Sequence, residues 1–430
     1  MMILITLVMT FIVLLIIGVP IAYVLGCTAM LGIWLLPGMS LITTVQRMFS
    51  GLNSFTLLAV PLFIFAANVM NQSGISERIV DFAVAIVGRV RGGLAYANVL
   101  DSMLFAGLSG SAQADTAGLG KVVIPAMIRE GYDKETAVGV TAATSTLATI
   151  IPPSVTMVVY SSVAGVSVGA MFLSGIVPGI LIGLGMMGVV YYHAVKHDYP
   201  RHTGTTLKQL LRLTVVNVPA LLTPLIIIGG INLGFMTATE AASVACIYAM
   251  LLGFFAYRSL KLKDFKALLE DTVRTSAVST FALATANALG QLLSYYNFNQ
   301  HVGEFFSATF DSRFSFLAIV VLFYIFIGTF MDAIPAIILF VPALMPTATS
   351  LGISGIQLGL VIIITLAVGL ITPPYGLCLL IASKIGDLTV DRSFYAAAPY
   401  IAVALFVVFL VVFVPDVALG LPKLIRPELF

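Results

Sequence analysis

The chain has 430 residues, of which 60% are hydrophobic and only 9% charged, with a mean hydropathy of +1.09. Soluble domains carry roughly 25% charged residues, so this composition excludes a soluble globular protein and predicts an all-α polytopic membrane protein whose partner is the lipid bilayer. A net charge of +2, with no Lys/Arg run among aromatics, gives no footing for nucleic acid.

The opening apolar run, residues 2–17, lacks a basic stretch and a small-residue cleavage site, so it reads as a retained helix over 3–17. Gly18-Val19-Pro20 turns the chain into a second helix over 21–36. Both fall short of the ~20 residues of a simple span, which predicts a close-packed local bundle. An apolar helix over 57–70 follows. Residues 76–88 then alternate Glu77, Arg78 and Asp81 with Ile79, Val80, Phe82 and Val84, the pattern of a helix lying along the interface. Residues 93–129 would make some 55 Å of helix at ~1.5 Å per residue, yet their centre is the polar GLSGSAQAD. A re-entrant hairpin with its tip near 108–113 resolves this. Basic residues on both flanks (Arg89, Arg91, Arg129 and Lys134) return it to the face it entered from. The helix over 135–150 breaks at Ile151-Pro152-Pro153-Ser154 and resumes through 160; residues 167–193 cross back.

Lys196, Arg201, Lys208 and Arg212 mark a cytoplasmic linker. It divides a first repeat, residues 1–195, from a second, residues 213–430, with 196–212 between them. The second repeat predicts helices over 213–231 and 238–257, an interfacial helix over 299–310, a hairpin over 313–347, a broken helix over 356–371 and a last span over 394–414. Gly107 and Gly328 are 221 residues apart, as are Pro152 and Pro373. Ala66-Ala67-Asn68 faces Thr285-Ala286-Asn287 at a similar offset, and both asparagines read as interhelical hydrogen bonders. Cys27, Cys246 and Cys378 lie in apolar stretches and read as core residues. His193, His197 and His202 read as a solvated junction rather than a metal site.

Each repeat thus sets glycine, proline, hydroxyls and an acid within apolar sequence. An unsatisfied backbone group in lipid costs several kcal/mol, so such backbone survives only where it lines a cavity. Paired interruptions at corresponding places in two halves point to a transporter's binding site. Five crossings in the first half would invert the second. The first hairpin then opens from the cytoplasm and the second from outside, while Arg47, Lys423 and Arg426 fall outside.

The runs GLSGSAQADTAGLGKVVIPAM, YDKETAVGVTAATSTLATIIPPS, GFMTATEAASVA and LITPPYG resemble the large membrane subunit of tripartite ATP-independent periplasmic (TRAP) transporters, and the match extends over essentially the whole chain. The resemblance implies an inverted-topology repeat with two re-entrant hairpins facing two broken helices and an elevator-type moving domain. It also implies sodium-driven uptake of an organic acid across the bacterial inner membrane, a four-helix small membrane subunit and a periplasmic substrate-binding protein. No GxxxxGK[ST] loop occurs, which fits an ATP-independent carrier.

Sodium prefers oxygen ligands, which broken helices supply as free carbonyls completed by hydroxyls and amides. One expected site combines Ser109, Gly110, Ser111 and Gln113 with Thr144, Thr146 and Pro152. Its mirror combines Gly328, Thr329 and Asp332 with Thr365, Thr372 and Pro373. The substrate is expected between the tips, at half-helix N-termini and at Ser111, Gln113 and Ser154. For any one Ser or Thr, a structural hydrogen bond explains the residue equally well. Asp115 reads as a cap of the exit helix of its hairpin, and no intramembrane arginine stands out to neutralise a carboxylate. An intramembrane aspartyl protease would need Asp115 and Asp332 to converge, but they lie on oppositely oriented hairpins. A channel would need a continuous polar pore. The remaining alternative is a stand-alone carboxylate/sodium symporter built on the same repeat. Sialic acid and C4-dicarboxylates are both compatible substrates.

Overall fold

A computed structural model describes residues 2–35, 40–201, 206–297, 301 and 312–429, and these residues are helical with short connections. The first half begins with α1 (Met2–Ile16), α2 (Ile21–Trp34), α3 (Leu41–Leu52) and α4 (Ala59–Gln72). α5 (Ile75–Val87) is the expected amphipathic helix, and its apolar residues Ile75, Ile79, Val80, Phe82 and Ala83 are buried. The re-entrant pair is α6 (Gly93–Ser109) and α7 (Ala112–Arg129); the broken helix is α8 (Lys134–Ser145) and α9 (Val155–Ala164); α10 (Val168–Lys196) closes the half.

The second half runs α11 (Leu207–Asn232), α12 (Ala238–Leu251), α13 (Phe265–Tyr295), α14 (Arg313–Gly328), α15 (Ala333–Ser350), α16 (Gly355–Gly369), α17 (Leu377–Gly386), α18 (Val390–Phe413) and α19 (Asp416–Ile425). α14 and α15 form the second hairpin, and α16 and α17 the second broken helix. Many helices start where the sequence supplies a cap. Thr206 with Gln209 and Thr237 with Glu240 form reciprocal capping boxes, and Ser40, Ser167, Ser312 and Ser354 each accept a backbone N–H of the first turn.

Among the described residues, five helices are long and apolar enough to cross a bilayer: Val168–Lys196, Lys208–Asn232, Ala238–Ala256, Ala333–Ser350 and Val390–Phe413. Several elements depart from expectation. α3 was not anticipated; together with the stretch to Gln72 it makes a span bent by 72°. Its second-half counterpart, α13, is one continuous helix of 31 residues. α11 begins inside the basic linker, so Lys208 and Arg212 are helical. The interfacial helix expected over 299–310 and His202 fall outside the described residues, apart from His301. Asn68 does reach another helix, donating to Thr272 Oγ1 at 3.0 Å, but Asn287 donates to Leu283 O on its own helix at 2.9 Å.

The helices pack in two sets that also meet each other, α5 on α6 and α13 on α15. α4 packs on α12, α2 and α3 on α13, and α5 on α11. Separately, the hairpins and broken helices interlock across the halves: α17 packs on α7 and α8, and α15 on α9. Small residues make this closeness possible. A Cβ on Gly386 would meet Val138 Cγ2 at 2.2 Å, and one on Gly359 would meet the Tyr160 ring at 2.2 Å.

Candidate functional site

The first hairpin turns at Gly110, whose φ of +61° lies in the left-handed region that glycine alone adopts freely. Ser111 is the N-cap of α7 and accepts from Ala114 N at 3.4 Å. This tip sits on the break of its own half. Val155 N donates to Gly110 O at 3.4 Å, and a Cβ on Gly110 would lie 2.8 Å from Pro153 O. The second tip repeats the arrangement with different residues. Tyr375 N donates to Thr329 O at 3.0 Å, and Gly328 presses on Gly369 so closely that a Cβ on Gly369 would meet Gly328 Cα at 2.6 Å. Asp332 caps α15, accepting from Ala333 N at 2.9 Å. It stands 221 residues after Ser111, so the two caps correspond.

The tips are joined directly. Ser111 Oγ donates to Gln113 Oε1 at 3.3 Å, and Gln113 Nε2 donates to Asp332 Oδ1 at 3.1 Å. Three residues expected at the sites therefore form one chain across the two halves. The threonines behave uniformly: Thr144, Thr146, Thr329, Thr365 and Thr372 each donate to a carbonyl three or four residues earlier in the chain. A hydroxyl whose proton is turned to the backbone presents lone pairs elsewhere, the polarity a cation requires. Thr144 also accepts from Ser102 Oγ at 3.0 Å, two helical turns back from the first tip, and Thr365 is fully buried. Pro152 O faces Gly107, 3.5 Å from where its Cβ would stand. Ser154 is fully buried, donates to Thr149 O and caps α9, so its hydroxyl serves the half-helix N-terminus.

Asp115 does not cap its helix, because Ser111 already holds that position. Instead both of its carboxyl oxygens are buried with no hydrogen-bond partner among the described residues. Ser109 lies close without reaching hydrogen-bond geometry. Asp101 on α6 is in the same state, fully buried with both oxygens unpartnered, and the two acids lie within electrostatic reach of each other. The sequence reading missed Asp101. Asp101 stands nine residues before Gly110 in an arm that also carries Asn98 and Ser102, and a lone acid so placed gives no spacing signal. Around these acids the polar side chains pair off, Asn98 with Thr141, Ser102 with Thr144 and Thr116 with Ser145. The Cys378 thiol lies beside Thr116 and Ser145, and the remaining side chains offer hydroxyl and amide oxygens with anionic oxygens left over, the kind of ligand a hard monovalent cation takes. His193 and His197 lie elsewhere, with His197 Nδ1 2.7 Å from Asp133 Oδ2.

Residues 8–417 match the family described as "Tripartite ATP-independent periplasmic transporter, DctM component". The chain belongs to this family. Among its relatives, the sialic acid TRAP transporter large permease protein SiaM of Vibrio cholerae is 35% identical, with 95% of each chain covered. The C4-dicarboxylate TRAP transporter large permease protein DctM of the same organism is 36% identical, with 96% of each covered. The 2,3-diketo-L-gulonate TRAP transporter large permease protein YiaN of Escherichia coli is 35% identical, covering 93% of this chain and 94% of that one. Among solved structures, the Alcanivorax borkumensis YdaH transporter superposes with a TM-score of 0.61 at 15% identity, covering 88% of this chain and 89% of that one, a likeness of fold. The TRAP chain is accordingly a multi-pass inner-membrane permease subunit engaged in secondary transport, and not an enzyme.

Proposed function

We propose that this TRAP permease carries an organic acid of the sialic acid or C4-dicarboxylate class into the bacterial cell, driven by sodium and moving by an elevator step. The Gln113 bridge to Asp332 carries the reading. It couples two tips, each bonded to the break of its own half, into one polar centre that can respond to ion and substrate together.

Sodium is held at two places. Ser109, Gly110 and Ser111 work with the Pro152 break, and Thr329 and Asp332 with the Pro373 break, while Thr144, Thr146, Thr365 and Thr372 turn lone pairs toward them. An ionised acid at membrane depth costs on the order of 2.5–3.5 kcal/mol on insertion scales, and a bound cation offsets that cost at Asp332, Asp115 and Asp101. The substrate lies against the Ser111 and Ser154 half-helix N-termini, with Gln113 reporting its presence to Asp332. Interlocking of α17 on α7 and of α15 on α9 supports movement of hairpins and broken helices as one body against the group built on α12 and α13. The basic linker faces the cytoplasm. A periplasmic binding protein delivers substrate, and a four-helix small membrane subunit completes the scaffold.

The test is uptake of a labelled panel, including sialic acid and succinate, into proteoliposomes with and without a sodium gradient, the small subunit and the binding protein. Uptake that requires all of them is expected. Sodium-driven uptake by this chain alone would replace the tripartite reading with a stand-alone symporter, and uptake indifferent to sodium would remove the coupling.

A further inference from the structure

A cavity of about 360 Å³ lies between α3, α13 and α15, away from the hairpin tips. That volume is in the range of small-molecule pockets. α3 contributes Arg47 and Ser50; α13 contributes Asn287 and Gln291; α15 contributes Ile338 and Pro342. No acid lines it, and among the described residues Arg47 makes no ion pair. The amide of Asn287 is held in place, since a Cβ on Gly51 would fall 2.4 Å from its Cγ and one N–H is used on Leu283 O. Its second N–H, the Gln291 amide and the guanidinium are donors, and a fork of donors beside a fixed positive charge recognises a carboxylate.

The position of the cavity adds to its chemistry. Ile338 and Pro342 follow Asp332 by six and ten residues on α15, which is about 9 and 15 Å along the helix. A smaller cavity of about 110 Å³ touches Ile334, Val159, Ser279 and Leu283, at the depth of the tips on the same seam between α13 and α15. The two cavities are therefore in line, with the cationic one farther from the centre.

We propose that the Arg47 cavity is a carboxylate-binding vestibule in which an arriving organic acid is held before it passes along the α13 and α15 seam to the tips. This deepens the transport reading and rests on it for direction, since the vestibule is on the outer side only if the linker is cytoplasmic. The arginine missing from the tips is then found on the approach to them. Arg47 belongs to the non-hairpin group of helices, so a substrate held there is handed from one group to the other.

The test labels the cavity directly. In a Cys27→Ala background, which removes the exposed cysteine, Ser50→Cys is reacted in proteoliposomes with an anionic sulfonatoethyl methanethiosulfonate and with its cationic trimethylammonium analogue. The anionic reagent is expected to react faster. Arg47→Gln should lower the ratio of the two rates by roughly tenfold and Arg47→Lys by much less, as expected for a local field acting on encounter. Succinate or sialic acid, whichever the wild type takes up, should slow labelling. In uptake, Arg47→Gln should raise KM about tenfold with kcat little changed. An unchanged reagent ratio in Arg47→Gln, or no protection by the transported acid, overturns the vestibule. Wild-type uptake with an unmoved KM in Arg47→Gln would sink the vestibule and leave the carrier intact. Absence of sodium-driven uptake in the wild type would instead count against the carrier, with the reagent ratio still deciding whether the cavity attracts anions.

Discussion

The two hairpins are built on one plan and filled with different chemistry. Around the first, Asn98, Asp101, Ser102, Asp115, Thr116, Thr141 and Ser145 are buried polar residues. Their counterparts 221 residues later are Ile319, Leu322, Phe323, Ala336, Ile337, Ile362 and Leu366, all apolar. The caps, Ser111 and Asp332, and the pair Thr144 and Thr365 do keep oxygen in both halves. Accordingly the first hairpin is knit to its broken helix by three side-chain hydrogen bonds along the arms, whereas the second has backbone against backbone at Gly328 and Gly369 and a side-chain bond at its far end, where Arg313 Nη2 donates to Gln357 Oε1 at 3.1 Å. Repetition therefore fixes where the chain breaks, whereas the chemistry at the breaks has diverged. Among the described residues, buried unpaired carboxyls occur in the first hairpin only, which makes it the half where an ion has most to gain.

The largest expected effect removes that difference. Asp101→Asn and Asp115→Asn should each lower sodium affinity by about 10- to 100-fold, the range for losing a group that supports an ion site, in sodium-activated uptake by folded protein. Leu322→Ala, at the exposed counterpart of Asp101, should change uptake within about twofold. Unaltered sodium activation in both acid variants would mean that the polarity of the first hairpin serves packing alone.

A smaller effect probes the apolar half. Gly369→Ala sets a methyl 2.6 Å from Gly328 Cα and 2.7 Å from Gly328 O, where backbone must move. Overpacking of this kind costs about 1–3 kcal/mol, and the loss should appear as a lower Tm of the purified subunit. Gly118→Ala on the first hairpin, whose nearest neighbour is Asn71 Oδ1 at 3.6 Å, is the tolerant comparison. Equal Tm values for the two variants would show that the second hairpin yields more than its contacts suggest.

These contrasts explain what the sequence made legible. Helix breaks are local: Pro152-Pro153, Pro373-Pro374 and the polar tip around Gly110 cannot continue a helix in lipid, so hairpins and breaks were readable within a few residues. The caps Ser111 and Asp332 were placed at the tips for the same reason. Asp101 was not readable, because an acid in a helical arm carries no spacing signal and its loneliness emerges only when α7 and α8 close around it. The Gln113 bridge joins residues 219 positions apart, and no local pattern encodes such a contact. Arg47 was read as an outside charge; its cavity exists only because α3, α13 and α15 meet.

The smallest expected effect concerns how each broken helix is anchored at its start. Ser354, at the head of α16, accepts from Ile356 N within its own helix. Its counterpart Asp133, at the head of α8, instead accepts from Tyr199 Oη at 2.7 Å and meets His197 Nδ1 at 2.7 Å, tying the first broken helix to the linker. The Tyr199 hydrogen bond, followed by the one with His197, holds the Asp133 carboxyl below the usual carboxylate range. A depressed acid contributes stability that is present above its unfolded pKa, near 3.9, and is lost as pH falls through the folded value. Because the pair is about half exposed, the contribution is small, about 1 °C in Tm. Asp133→Asn should therefore unfold slightly below the wild type at pH 7, and the gap should close toward pH 3. A gap that persists at pH 3 would show that shape, rather than charge, fastens the first broken helix to the linker.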